Sequence, residues 1–135
     1  MTAVTGAPSA VDLARASLTA VKNGRREEWL ALFDEDSVIE DPVGPSPLDP
    51  EGKGHRGSAE IARFYDTAIA GLQGFDFEIE RTCLCGDEAA VLVTFHITVP
   101  GEEQMDFRAI NVYKRSPRGT LAALRSFHHG EETGS

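Results

Sequence analysis

"VIEDPVGPSP", residues 38–47, joins a short apolar run to two consecutive acids and then to Pro42, Pro45 and Pro47. Val38 and Ile39 read as a buried strand. Pro42 has no backbone N–H, so the ladder must stop there. Glu40 and Asp41 are neighbours on this strand and therefore face opposite ways. A carboxylate at the inner end of an apolar strand sits where ionisation is disfavoured. Taken alone, Asp41 is either a strand-end acid bonding loop amides or a group placed there for its chemistry.

Upstream of this strand the pattern is helical. In "SAVDLARASLTAVKNG", residues 9–24, Ser9 stands where a cap is needed, Asp12 follows three later as in a capping box, and Gly24 can close the helix. Val11, Ala14, Leu18 and Val21 recur at helical spacing and make an apolar stripe, with Ser17 lying on it. "REEWLALF", residues 26–33, predicts a short second helix that turns Trp29, Leu30 and Phe33 inward. Downstream, residues 43–57 are rich in Pro and Gly and read as a loop or loose hairpin. "SAEIARFYDTAIAGL", residues 58–72, predicts a third helix capped by Ser58, with Ile61, Phe64, Tyr65, Ala68, Ile69 and Leu72 on one face.

After Gly74 the period changes to two. Strands are expected at 75–84, 88–99, 104–115 and 120–129, separated by the turn signals "CGD", "PGEE" and "SPRGT". Helices first and hairpins last make an α+β order, with helices on one face of a curved antiparallel sheet. One domain over 9–130 is expected, with a loose lead at 1–8 and a tail at 131–135.

Composition removes several classes of partner. The 135 residues carry 22 acidic and 13 basic side chains, a net charge of −9. No basic stripe exists for a phosphate backbone or an anionic membrane surface, so neither nucleic acid nor membrane is an expected partner. No apolar run approaches the roughly 20 residues of a membrane span, and "MTAVTGAPSA" lacks the regions of a signal peptide. A soluble, cytoplasmic protein is expected. Cys83 and Cys85 should share one strand face as reduced, half-buried thiols. No metal or other cofactor is expected, because the histidines lack converging spacing.

The strand faces locate candidate chemistry. Ala89, Val91, Val93, Phe95 and Ile97 form a wholly apolar face. On the next strand Met105, Phe107, Ala109 and Tyr113 share a face with a single amide, Asn111. A buried Asn must find hydrogen-bond partners, so Asn111 is either a satisfied core amide or a ligand donor. In the last strand Ala122, Leu124, Ser126 and His128 alternate with Ala123, Arg125, Phe127 and His129.

"WLALFDEDSVIEDPVG" followed by "HRGSAEIARFY" resembles the ketosteroid isomerase-like, or SnoaL-like, branch of the NTF2-like superfamily. The likeness in element order spans roughly residues 9 to 130. It implies a cone: a bent sheet wrapped around helices, leaving a deep apolar pocket. It further implies that an Asp moves a proton between two carbons beside a ketone, while a Tyr and a protonated Asp stabilise the enolate oxygen. Position by position, the base is Asp41 and a supporting aromatic is Tyr65. The position of the oxyanion Tyr holds Ser17, that of the protonated Asp holds Asn111, and that of a pocket-lining aromatic holds His128. The base matches and both oxyanion donors depart. Asn111 can still donate through its amide, though more weakly than an acid or a phenol.

An apolar small-molecule ligand is therefore expected, lined by Ser17, Val21, Val91, Val93, Phe95, Ile97, Phe107, Leu124 and His128. Three readings follow. One is an isomerase acting beside a ketone on a steroid-like or polyketide-like molecule. The second is an epoxide hydrolase or cyclase, needing an acid across the pocket from its base, for which His128 is the available group. The third is a non-catalytic binder in which Asp41 anchors a hydroxyl. The resemblance also implies a homodimer formed through the outer face with Leu92, Thr94, His96, Arg108, Ile110 and Val112.

Overall fold

A capping box starts the first helix. In the computed structural model, which describes residues 7–128, Ser9 Oγ accepts from the Asp12 N–H at 3.1 Å and the Asp12 carboxylate accepts from the Ser9 N–H at 2.9 Å. Helix α1 runs Ala10–Lys22, and Gly24 takes a φ of 67° just past its end. Its buried face holds Ala10, Leu13, Ala14, Ser17 and Leu18. Val11 and Val21 are only partly buried, so the expected stripe is displaced toward Leu13 and Ser17. A helix packed into the hollow of a sheet buries a wide sector, not one line of side chains.

Helix α2, Arg26–Leu30, buries Trp29 and ends three residues earlier than the expected Phe33. Phe33 instead opens strand β1, Phe33–Glu40. The sheet takes these residues over: the Leu121 N–H donates to Leu32 O at 2.7 Å, and Phe33 pairs in parallel with Leu121. A bulge between Phe33 and Val38 is held by Ser37, whose hydroxyl donates to Leu121 O at 2.7 Å. Strand β2, His55–Arg56, lies in the expected loop and pairs antiparallel with Val38 and Ile39.

Helix α3, Gly57–Phe64, starts without a Ser58 cap. Glu60 instead reaches back to accept from the Arg56 N–H at 2.9 Å. The expected single helix then changes pitch into a π turn, Tyr65–Ile69, with Ala70 N–H bonded to Tyr65 O at 2.9 Å. Arg26 grips Asp66 with two hydrogen bonds, of 2.8 and 3.0 Å, tying α2 to this turn.

Strands β3 (Gly74–Cys85), β4 (Glu88–Thr98), β5 (Met105–Arg115) and β6 (Leu121–Phe127) form the expected antiparallel meander. The order is β2-β1-β6-β5-β4-β3, so the sheet is open and β1 joins it parallel to β6. The architecture is α+β, a curved six-stranded sheet with helices on its inner face. Ala89, Val91, Val93, Tyr113 and Leu121 are fully buried between sheet and helices. Cys83 and Cys85 share a face, as expected from a period of two, but both are exposed instead of half-buried. They lie at the far end of the edge strand β3, past Phe75, Phe77 and Ile79, which pack against the core. Among the described residues no helix is long and apolar enough to cross a membrane. His129 and the tail at 131–135 lie outside the described residues, as does most of the lead at 1–8.

Candidate functional site

Where the sheet bends away from α1 and the π turn, it leaves a cavity of about 240 Å³. Aromatic rings make one wall: Phe75 meets Phe95 at 5.6 Å between centroids, and Phe95 meets Phe107 at 5.5 Å. Of the expected ligand-binding residues, Ser17 and Val21 line the cavity from α1. Phe95, Ile97, Phe107 and Leu124 line it from the sheet, together with Asp41, Asn111 and His128. Val91 and Val93 do not reach it; they are packed into the core deeper along the same strand face. Tyr65 does not reach it either. Its ring lies 5.2 Å from that of Trp29, beneath the Arg26 guanidinium at 6.0 Å, so it braces α2 from behind.

Asp41 follows directly on β1, in a cis peptide bond with Pro42. Its partner is His128, whose Nε2 lies 2.5 Å from Asp41 Oδ1. The two residues come together because β1 and β6 are parallel neighbours whose C-terminal ends coincide, with Glu40 opposite Arg125. Glu40 does point the other way, accepting from Arg125 Nε at 2.9 Å. The Val43 N–H donates to Ser126 O at 2.9 Å and fixes the chain beyond the proline. His128 also packs its ring 5.6 Å from Phe107. Oδ1 is thus engaged, while Oδ2 remains the oxygen with which Asp41 can meet a ligand.

The amide of Asn111 makes two hydrogen bonds within the protein and keeps its second N–H. Ser126 Oγ donates to Asn111 Oδ1 at 2.6 Å, and Asn111 Nδ2 donates to the Tyr113 hydroxyl at 3.0 Å. All three residues are buried, and desolvation pushes the Tyr113 phenol well above its ordinary pKa. Ser17 is likewise occupied, its Oγ accepting from Trp29 Nε1 at 3.1 Å. Tyr113, Ser126 and Trp29 line the cavity and were not singled out from sequence as site residues. The signal for Tyr113 and Ser126 was present, since they share strand faces with Asn111 and His128. Trp29 carried none, because nothing local says that its indole will reach α1. Asp41 and His128 are the only carboxylate and imidazole among the lining residues, too few donors to cage a metal ion.

The Mycobacterium tuberculosis protein Rv0760c has a crystal structure that superposes with a TM-score of 0.84 at 30% identity, over 94% of this chain and 95% of that one. The same protein in complex with estradiol-17β-hemisuccinate gives a TM-score of 0.82 at 30% identity, over 89% and 93%. A Δ5-3-ketosteroid isomerase from Mycobacterium sp. gives a TM-score of 0.82 at 32% identity, over 90% and 95%. No curated protein sequence is a significant match. The model of the SnoaL-like domain matches residues 14–123, and with the curved sheet, its cavity and these structural neighbours it establishes that the chain belongs to the SnoaL-like family, within the ketosteroid isomerase and NTF2-like fold.

Proposed function

We propose that this domain, residues 9–130, moves a proton between carbons beside a ketone on an apolar, steroid-like or polyketide-like small molecule, with Asp41 as the base. The observation that carries the reading is one carboxylate at the wall of an otherwise apolar, aromatic-lined cavity, with one oxygen engaged by His128 and the other open. A base in such a place is poorly solvated and works on a ligand whose remaining surface is gripped by hydrocarbon. The related structures support the ligand class, since one holds an estradiol ester and another is a ketosteroid isomerase.

The epoxide-opening reading needs an acid across the cavity from its base. His128 was its candidate acid, and it is hydrogen-bonded to Asp41 on the same side. That arrangement favours proton transfer by one base over attack and protonation from opposite walls. The test is conversion of a Δ5-3-ketosteroid to its conjugated enone, followed by ultraviolet absorbance. Turnover that disappears in Asp41→Asn supports the reading. Binding of steroid without turnover of any ketone or epoxide supports the binder instead.

The reading extends to assembly as a homodimer through the outer face of β4 and β5. That face carries Ile110, half exposed, beside Leu92, Val112 and the charges of Arg108 and Glu80. A mixed, self-complementary surface of this kind suits a two-fold contact. A monomer by light scattering at micromolar concentration would sink it.

A further inference from the structure

A carbanion beside a ketone survives only if something meets the negative charge that moves onto the oxygen. The cavity holds few donors, and most are spoken for. The Trp29 N–H goes to Ser17, the Ser126 hydroxyl goes to Asn111, and one of the two Asn111 Nδ2 protons goes to Tyr113, leaving a neutral amide N–H that is a weaker donor to an anionic oxygen than a phenol. These last two bonds run in one direction and end on the phenol oxygen of Tyr113. That oxygen accepts from Asn111, and among the described residues its own proton has no acceptor. Tyr113 is fully buried from solvent yet lines the cavity. The other uncommitted hydroxyl proton on the wall belongs to Ser17, an aliphatic alcohol and a much weaker donor than a phenol to an anionic oxygen.

We propose that Tyr113 is the oxyanion donor of this site, a catalytic residue on β5 that Asn111 and Ser126 position; the inference rests on the proton-transfer reading above. Asp41 Oδ2 takes a proton from the carbon beside the ketone. The C–H electron pair becomes a carbon–carbon π bond, and the carbonyl π pair moves to oxygen. The resulting enolate oxygen accepts the Tyr113 hydrogen bond. Collapse of the enolate draws the proton from Asp41 onto the far carbon, so no atom or electron is gained or lost. Burial keeps the phenol protonated, with the Asn111 hydrogen bond opposing and the Asp41 charge adding to the effect. Tyr113 therefore donates throughout the working pH range and does not compete with Asp41 as a base. Successive donors in a buried row polarise one another, so the Ser126–Asn111 pair strengthens the phenol as it holds it.

The experiment uses the full chain and two probes: estradiol-17β-hemisuccinate and the same ester without its ring-A hydroxyl. The wild type should prefer the hydroxylated probe by about tenfold, the scale of one good hydrogen bond. Tyr113→Phe keeps the ring that fills the core and should erase that preference, leaving affinity for the deoxy probe unchanged. It should also lower turnover of a Δ5-3-ketosteroid by about 10²–10³-fold. In the Tyr113→Phe background, adding Asn111→Leu should cost little more, because a positioning residue acts only through the phenol. A full preference retained by a folded Tyr113→Phe overturns the proposal whether or not the protein turns over steroid. An additive loss from Asn111→Leu overturns the positioning role. If Tyr113→Phe changes nothing while turnover still depends on Asp41, this inference fails and the proton-transfer reading stands. If neither probe binds and no ketosteroid is turned over, both fail together.

Discussion

Two histidines on this sheet, His96 and His128, each meet carboxylates at hydrogen-bond distance, and their surroundings make them different objects. His96 lies on the outer face between Asp106 and Glu78, at 2.7 Å from each. Beside them, Arg108 pairs with Glu80 at 2.7 Å, and Thr94 also donates to Glu80. His128 lies inside, 2.5 Å from Asp41, with Phe107 against its ring. Outside, charges are numerous, mutually paired and wetted, so each pair is worth little. Inside, no second carboxylate lines the wall, so what happens to one proton decides the state of the site. The residue types are the same; the number of competing charges and the access of water separate a solvated surface from a reactive one.

The largest effect that would break this contrast is on Asp41. Asp41→Asn keeps shape and removes basicity, and should lower ketosteroid turnover by about 10²–10⁴-fold while steroid affinity survives. Turnover at the wild-type rate would put Asp41 in the same class as the outer carboxylates.

Asn111→Asp sharpens the contrast through pH. A protonated carboxyl at this position can accept from Ser126 and donate to Tyr113, as the amide does, and it is the stronger donor. An ionised one can only accept, and the phenol would then donate its hydrogen bond to the carboxylate and not to the substrate oxygen. Turnover relative to wild type should therefore rise at low pH and fall as pH increases through the titration of the new group. A ratio of rates that is flat with pH rules out this coupling. Adding Ser17→Tyr offers a second phenol, but it removes the acceptor of the buried Trp29 N–H, at a cost of about 1–3 kcal/mol.

Val93 and Phe95 share one strand face but divide between core and cavity. Val93→Ala should cost about 2 kcal/mol of stability, seen in the denaturation midpoint, with ligand affinity unchanged. Phe95→Ala should weaken steroid binding as well. Equal loss of affinity in both variants would move the cavity boundary deeper along β4, to Val93.

The smallest expected effect is at His96. Asp106 first and Glu78 second raise its pKa, and His96 in turn holds Asp106 below the usual carboxylate range. The raised His96 value means that its stabilisation is fully present below about pH 6.5, its unfolded value. It is lost as pH rises through the folded value. The lowered Asp106 value adds an acid limb, lost as pH falls through it. His96→Gln should therefore flatten the alkaline limb of Tm against pH, weakly and less so in high salt. An unchanged profile would mean that the cluster contributes nothing.

Much of this was legible in the residues themselves. The capping box at Ser9 and Asp12, the period of two in residues 75 to 127 and the stop at Pro42 are local signals, and each appears where local physics puts it. The opposite facing of Glu40 and Asp41 follows from strand geometry alone. The resemblance carried by "EDPVG" marked Asp41, Asn111 and His128 as residues of one site, and all three line the cavity. What chain-local reasoning could not reach are the pairings. Helix α2 stops at Leu30 because a strand ninety residues later claims Leu32 and Phe33. Tyr65 leaves the cavity because Trp29 and Arg26 hold its ring. His128 meets Asp41 because β1 and β6 run parallel, and the Tyr113 oxygen is an acceptor to Asn111 because Ser126 already donates to Asn111 Oδ1. The types of the residues, their alternation and their stops are properties of short stretches, and the sequence by itself determines them. Which donor is consumed, which carboxylate is left with one partner and which ring faces the void depend on groups far apart in the chain, and only the packing of sheet on helix decides them.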